Sequence, residues 1–178
     1  MENPLTLANS LSLLRIFIAP LAAWSIFSGY WITTSLLLIL AILSDIFDGP
    51  IARYKGQESA GGGLLDHTCD AVLVGVLLFA LSSTHDIPLL LPILVLTSFI
   101  QYVLDSKALS GSKLRTSLLG RINGIAYYVM ASLCIFSELL GGLLSAFFLT
   151  TCAWFLVIST LLSMSERLWI LISKKFSW

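Results

Sequence analysis

Charge is what this 178-residue sequence has least of: Asp, Glu, Lys and Arg make up 11%, against about 25% in an ordinary soluble domain, while apolar residues reach 57%. That balance excludes a soluble globular domain and describes a chain solvated by lipid. Cysteine is nearly as sparse. Cys69, Cys134 and Cys152 are odd in number, far apart and inside apolar runs, which excludes a disulfide framework or a zinc spacing and leaves small buried hydrophobes. There is no internal repeat and no Pro- or Ser-rich linker, so residues 1–178 read as a single membrane domain. No basic segment precedes the first apolar run and no small-residue cleavage site interrupts it. It therefore reads as a retained helix and not a signal peptide.

What is present is a set of six apolar runs long enough to cross a bilayer, at roughly 12–28, 31–53, 63–83, 87–106, 118–138 and 142–164. The expected fold is all-α and integral to the membrane. Glu166 to Trp178 is too short and too basic for a further span and is expected to lie along the interface. With both ends on one side, all ten Lys and Arg residues fall on that side: Arg15, Arg53, Lys55, Lys107, Lys113, Arg115, Arg121, Arg167, Lys174 and Lys175. Such asymmetry predicts a multi-pass protein of the plasma (inner) membrane with both termini in the cytoplasm. Nothing in the sequence indicates a nucleic-acid partner.

Against this background, "SDIFDGPIARYKGQESAGGGLLDHTCD" stands out, because Asp45, Asp48, Asp66 and Asp70 fall within 26 residues. Asp45 and Asp48 are spaced i, i+3 at the inner end of the second span, and Asp66 and Asp70 i, i+4 at the start of the third. Each spacing puts a pair on one helix face, and a short connection makes the two helices antiparallel neighbours. A lone carboxylate at membrane depth costs several kcal/mol, so four together must be protonated, paired or bound to metal. Arg53 is the one base close in sequence. One arginine does not balance four acids, so divalent metal is the economical solution, all-oxygen ligands favouring Mg²⁺, Mn²⁺ or Ca²⁺ over zinc; two carboxylate-bridged ions would be the familiar arrangement for displacement at phosphorus. Gly49, Gly61, Gly62 and Gly63 remove side chains beside the acids, and Pro50 is expected to kink the second span there. The bland alternative is an ion-pair network without catalytic purpose.

These residues resemble the signature of the CDP-alcohol phosphatidyltransferases, D-x2-D-G-x2-A-R-x8-G-x3-D-x3-D, with every spacer of the right length. The fixed positions are Asp45, Asp48, Gly49, Ala52, Arg53, Gly62, Asp66 and Asp70. The resemblance implies six transmembrane helices with an active site at the cytoplasmic face between the second and third. It implies transfer of a phosphatidyl group from CDP-diacylglycerol to a small alcohol acceptor, releasing CMP, within phospholipid biosynthesis and among membrane lipids. By position, Asp45, Asp48, Asp66 and Asp70 would hold the two metal ions and Asp70 would also act as base. Gly49, Ala52 and Gly62 would leave room for the nucleotide, Arg53 would contact the diphosphate, and a homodimer is implied.

The acceptor is less sharply specified. "NSLSLLR", with Asn9, Ser12 and Arg15, resembles the N-x2-T-x2-R near the start of phosphatidylglycerophosphate synthases, and "SLLGRING" partly resembles their S-x2-G-K-x-K-T, with Asn123 and Gly124 in the last two places. Lys113, Arg115 and Arg121 would attract an anionic acceptor, of which glycerol 3-phosphate is the best guess. Inositol, inositol phosphate, serine or another alcohol remain open. Gln101, Asp105, Asn123, Tyr127 and Tyr128 either line the cavity or join helices. His67 follows Asp66 but points about 100° away on a helix, and is not taken as a ligand. A divalent-cation transporter and an intramembrane prenyltransferase are the rival classes; the first would want acids on both faces, the second a longer chain with its two acidic motifs far apart.

Overall fold

The structure, a computed structural model, describes residues 6–57, 59–105 and 118–175, and among these the only regular element is the α-helix. Six helices follow in order: α1 Leu7–Phe27, α2 Trp31–Tyr54, α3 Ala60–Thr84, α4 Leu90–Asp105, α5 Leu118–Leu139 and α6 Ala146–Lys175. Five of them, with Ala146–Ile170 representing α6, are long and apolar enough to cross a membrane. Large apolar side chains such as Phe17, Ile32, Leu36, Phe147 and Phe155 are exposed around the bundle, as a lipid-facing surface requires and a soluble surface seldom tolerates.

The expected run of 87–106 is shortened in the structure. Ile87–Leu89 form the turn into α4, with Leu91 N–H donating to the Pro88 carbonyl at 2.9 Å, so the helix is 16 residues long. That is about 24 Å of rise against about 30 Å of hydrocarbon. The expectation for the C-terminal segment is corrected too: Glu166 to Lys175 continues the axis of the 30-residue α6 instead of forming a separate interfacial stretch, since nothing between Ser163 and Lys175 breaks a helix. Gly29, Gly141 and Gly142 adopt φ of 72°, 77° and 81°, a left-handed backbone that an L side chain resists.

The core sits around α1 and α3. α1 starts where the Thr6 side chain accepts from the Asn9 N–H at 3.1 Å, a standard N-cap. Its buried stripe of Ala8, Ser12, Arg15, Ala19, Ala22 and Ile26 follows helical periodicity and packs against α2 and α3. The stripe is polar at one end and apolar at the other. Small residues in it let the backbones approach, the way helices associate where lipid removes the usual hydrophobic drive. α3 supplies Leu73, Leu77, Leu78 and Leu81, all fully buried. Its Gly75 is needed: a Cβ there would lie 2.9 Å from Leu96 Cδ2 of α4. α5 and α6 close the bundle with Met130, Cys134, Ile135, Ala153 and Val157. Cys69 and Cys134 are buried thiols, as expected, and Cys152 is half-buried.

Candidate active site and metal centre

At the polar end of the α1 stripe, α2 and α3 bring all four aspartates onto one side chain. Arg15 of α1 is fully buried, and its guanidinium donates to every one of them. Nη1 donates to Asp45 Oδ1 at 2.7 Å and to Asp70 Oδ1; Nη2 donates to Asp48 Oδ2 and to Asp66 Oδ1. Ser12, one turn earlier, donates to Asp48 Oδ2 at 3.0 Å. From α5, the Tyr128 hydroxyl donates to Asp70 Oδ1 at 2.6 Å. The Asp48 side chain is 7% exposed and that of Asp45 41%, so the cluster runs from the bundle interior to an open side.

The sequence-based count of nearby bases is therefore corrected. The sequence offers Arg53 as the one base nearby and counts Arg15 with the cations that set topology; the structure puts Arg15 inside the bundle. The bare ion-pair alternative gains a base without gaining balance, because four carboxylates still face one guanidinium. Arg53 turns the other way, across Gly49, where an added Cβ would lie 3.6 Å from Arg53 Nη1. A cavity of about 200 Å³ opens there between Asp48, Gly49, Ala52, Arg53, Gly62 and Asp66, with Asn9 and Ser12 on its α1 wall. Gly62 is close to Asn9: a Cβ would lie 3.3 Å from Asn9 Oδ1. All four signature positions assigned to the nucleotide thus border one cavity.

A second opening reaches Asp45: a groove of about 540 Å³ runs between α2 and α5 toward Leu143 and Leu144, lined by Ile42, Tyr128, Val129, Leu133 and Phe136. It is almost wholly apolar, and it ends at an acid. The donor set suits a hard divalent cation. Oxygens of Asp45, Asp48 and Asp66 lie within 4.8 Å of one another, and so do ligand atoms of Asp66, His67 and Asp70. His67, set aside on helical geometry, thus reaches the cluster, while its ring also packs edge-on against Tyr102 at 6.3 Å.

The other polar positions divide cleanly. Tyr127, adjacent to Tyr128, shares a 2.6 Å hydrogen bond with Thr160 of α6. Asn123 accepts from Ser159 at 2.6 Å, and Gln101 donates to the Met164 carbonyl at 3.0 Å. These three join helices, and of the tyrosines only Tyr128 enters the acid cluster. Arg121 is exposed on the first turn of α5. Lys113 and Arg115 lie outside the described residues. Reasoning from sequence missed Arg15 and Ser12 as partners of the acids; the signal was there in Asn9, Ser12 and Arg15, spaced three apart along one face of an otherwise apolar helix.

The chain is 36% identical over 97 residues to the cardiolipin synthase (CMP-forming) of Rattus norvegicus, covering 54% of this chain and 32% of the relative. It is 32% identical over 97 residues to a probable phosphatidylglycerophosphate synthase of Mycobacterium tuberculosis, covering 51% and 46%. To the chloroplastic CDP-diacylglycerol–glycerol-3-phosphate 3-phosphatidyltransferase 1 of rice it is 34% identical over 80 residues, covering 45% and 24%. The aligned segments thus span less than half the length of each. The family model for CDP-alcohol phosphatidyltransferases, in contrast, matches residues 5–171, from the cap of α1 to the last turns of α6. With the complete signature seated on α2 and α3 around one cluster, this chain belongs to the CDP-alcohol phosphatidyltransferase family.

Proposed function

We propose that the protein transfers a phosphatidyl group from CDP-diacylglycerol to an alcohol, with glycerol 3-phosphate as the acceptor and CMP as the leaving group. The observation that carries this is the convergence of Asp45, Asp48, Asp66 and Asp70 between a small glycine-lined cavity and an apolar groove. The cavity takes the cytidine diphosphate head and the groove takes an acyl chain, so the scissile phosphate lies over the acids. Two divalent ions held by the four carboxylates would supply Lewis-acid stabilisation of the charge developing on CMP. Gly49, Ala52 and Gly62 keep the cavity open, and Arg53 binds diphosphate oxygens.

The Tyr128 hydroxyl occupies Asp70 Oδ1, which leaves Oδ2 to take the acceptor proton. The acceptor oxygen then forms its bond to the phosphorus attached to diacylglycerol, the bond from that phosphorus to the CMP oxygen breaks, and the proton goes to Asp70. Arg121, with Lys113 and Arg115 nearby in sequence, attracts the acceptor phosphate. The acid end faces the cytoplasm, where the positive residues concentrate; the membrane is the plasma membrane, residues 1–178 act as one domain, and two copies pair through their apolar faces.

A second reading is favoured by the likeness to the rat cardiolipin synthase: cardiolipin formation, with phosphatidylglycerol as acceptor. It also suits the turning of Asn123 toward Ser159, where a basic residue would serve a phosphorylated acceptor. Purified protein in detergent, given CDP-diacylglycerol, Mg²⁺ or Mn²⁺ and either glycerol 3-phosphate, phosphatidylglycerol, inositol, inositol phosphate or serine, should release CMP with glycerol 3-phosphate. Release with phosphatidylglycerol alone selects the second reading; no release with any of these acceptors overturns the proposal.

A further inference from the structure

Arg15 divides its hydrogen bonds in a specific way. Nη1 joins Asp45 of α2 to Asp70 of α3, and Nη2 joins Asp48 of α2 to Asp66 of α3. Each terminal nitrogen thus does what a bridging cation would do, linking one acid of each helix. The carboxylate oxygens that lie close enough together to share a metal belong to these same side chains. A cation entering among them would meet a fully buried guanidinium of like charge, and burial leaves that repulsion less screened than it would be in water.

Two features of this seat argue against a permanent one. The Arg15 Nε is buried and has no hydrogen-bond partner, so the guanidinium leaves one donor unused, unlike a structural arginine with all its N–H groups satisfied. Charge is also unmatched: four carboxylates and one guanidinium sum to −3. Two divalent ions would bring the sum to +1 with Arg15 still present, a surplus suited to an anionic diphosphate in the adjoining cavity. Resting on the reading of the four acids as metal ligands, we propose that Arg15 and the divalent ions are alternative occupants of the acid cluster. The guanidinium pins α1 to α2 and α3, and metal loading moves it off the carboxylates toward the cavity walled by Asn9, Ser12 and Arg53. There the diphosphate becomes its partner.

Metal affinity is then set below its intrinsic value by the work of displacing Arg15, and an anionic nucleotide restores it, because metal and nucleotide each favour the same displaced arrangement. A purely structural arginine, or one that only contacts substrate, has neither property. Removing a structural residue would loosen the acids and weaken metal binding; removing a substrate contact would leave metal binding unchanged.

The test is Mn²⁺ binding to the full-length protein in detergent, by calorimetry, for wild type, Arg15→Gln, Arg15→Lys and Asp66→Asn, each with and without CDP. Arg15→Gln is expected to bind Mn²⁺ about tenfold more tightly than wild type, a shift of about 1.4 kcal/mol, and to lose the tightening that CDP produces in wild type. Arg15→Lys keeps the charge and the fold but lacks the fork that spans four carboxylates, so it should bind Mn²⁺ more tightly than wild type by a smaller factor. Equal or weaker binding in Arg15→Lys overturns the inference, as does equal or weaker binding in folded Arg15→Gln. If wild type binds no Mn²⁺, or Asp66→Asn binds it as well as wild type, the metal reading itself fails and takes the inference with it; if wild type binds and Asp66→Asn does not, only the behaviour of Arg15 is on trial.

Discussion

The two ends of the bundle handle polar groups in opposite ways. At the end away from the acids, Glu138 is matched by His85 and the hydrogen bonds are ordinary ones. His85 Nε2 lies 3.2 Å from Glu138 Oε1, its Nδ1 lies 2.8 Å from Thr84 Oγ1, and its ring packs edge-on against Trp31. Thr150 donates to the Asp86 carbonyl at 2.8 Å, and the Ser137 hydroxyl accepts from the Leu144 N–H at 2.9 Å. At the acid end four carboxylates share one guanidinium. One-to-one pairing costs little and fastens α3, α5 and α6 together. A four-to-one excess is expensive inside a membrane domain, so it persists where something other than stability requires it. The transporter alternative calls for acids on both faces; at the far end Glu138 is paired with His85 and Asp86 contributes its backbone carbonyl to Thr150, with no cluster of acids among the described residues to match the one at the other end.

The sharpest way to break this contrast is to remove acids one at a time. Asp45→Asn, Asp48→Asn and Asp66→Asn should each lower CMP release by about a hundredfold or more, beyond the 10–100-fold typical of losing an outer-shell metal partner. Asp70→Asn should lower kcat by about 10²–10⁴, the scale for a positioned base, while keeping most of its Mn²⁺ binding. Near-wild-type turnover in any two folded variants of the first three would make the cluster an ion-pair network. The ends should also differ in access. A cysteine at Gln57 should react with an impermeant maleimide only from the cytoplasmic side of intact cells, and one at Thr84 only from outside. The native thiols, two of them buried and Cys152 half-buried, give little background. Labelling of Gln57 from outside would turn the protein over and separate its acids from cytosolic nucleotide.

How far the sequence reveals this arrangement depends on the distance between partners. The acids were legible because Asp45 to Asp70 is a local pattern on two consecutive antiparallel helices, where spacing alone fixes the shared face. The glycine-lined cavity was legible for the same reason. Arg15 was not, since its partners lie 30 to 55 residues away and the register of α1 against α2 and α3 depends on side-chain packing, which periodicity does not encode. Hydropathy overran the start of α4 because it registers Ile87 and Leu89 as apolar without registering that Pro88 sits in the turn. It also split α6 at Glu166, although a charged residue does not end a helix. Tyr127 and Tyr128 posed a problem of rotation: adjacent residues point about 100° apart, and sequence does not say which one faces α6.

That rotation can be tested by a pair of matched substitutions. Tyr128→Phe removes the hydroxyl that donates to Asp70 Oδ1 and should lower kcat by about tenfold, a loss of ~1.4 kcal/mol, at the lower edge of what one hydrogen bond to a charged group contributes. Tyr127→Phe removes a hydroxyl of the same chemistry whose partner is Thr160. It should leave kcat within about twofold and lower the melting temperature instead, since one buried hydrogen bond is worth about 1 kcal/mol. Equal kinetic effects from the two would mean that Tyr128 acts through packing and not through Asp70.

The smallest effect belongs to the far end. Glu138→Gln keeps the shape of the side chain and removes its charge beside His85, where the two side chains are 30% and 19% exposed. A pair that open to the surroundings contributes about 0–1 kcal/mol, and the amide oxygen can still accept from the imidazole. The melting temperature should therefore fall by no more than a few degrees, and CMP release at saturating donor should match wild type, because the acid cluster lies at the other end of α3. A loss comparable to that of Asp48→Asn would show that the two ends are coupled through α3 and α5. The clasp would then set the register of Asp66, Asp70 and Tyr128, and the excess of acids could no longer be understood apart from the matched pairs opposite.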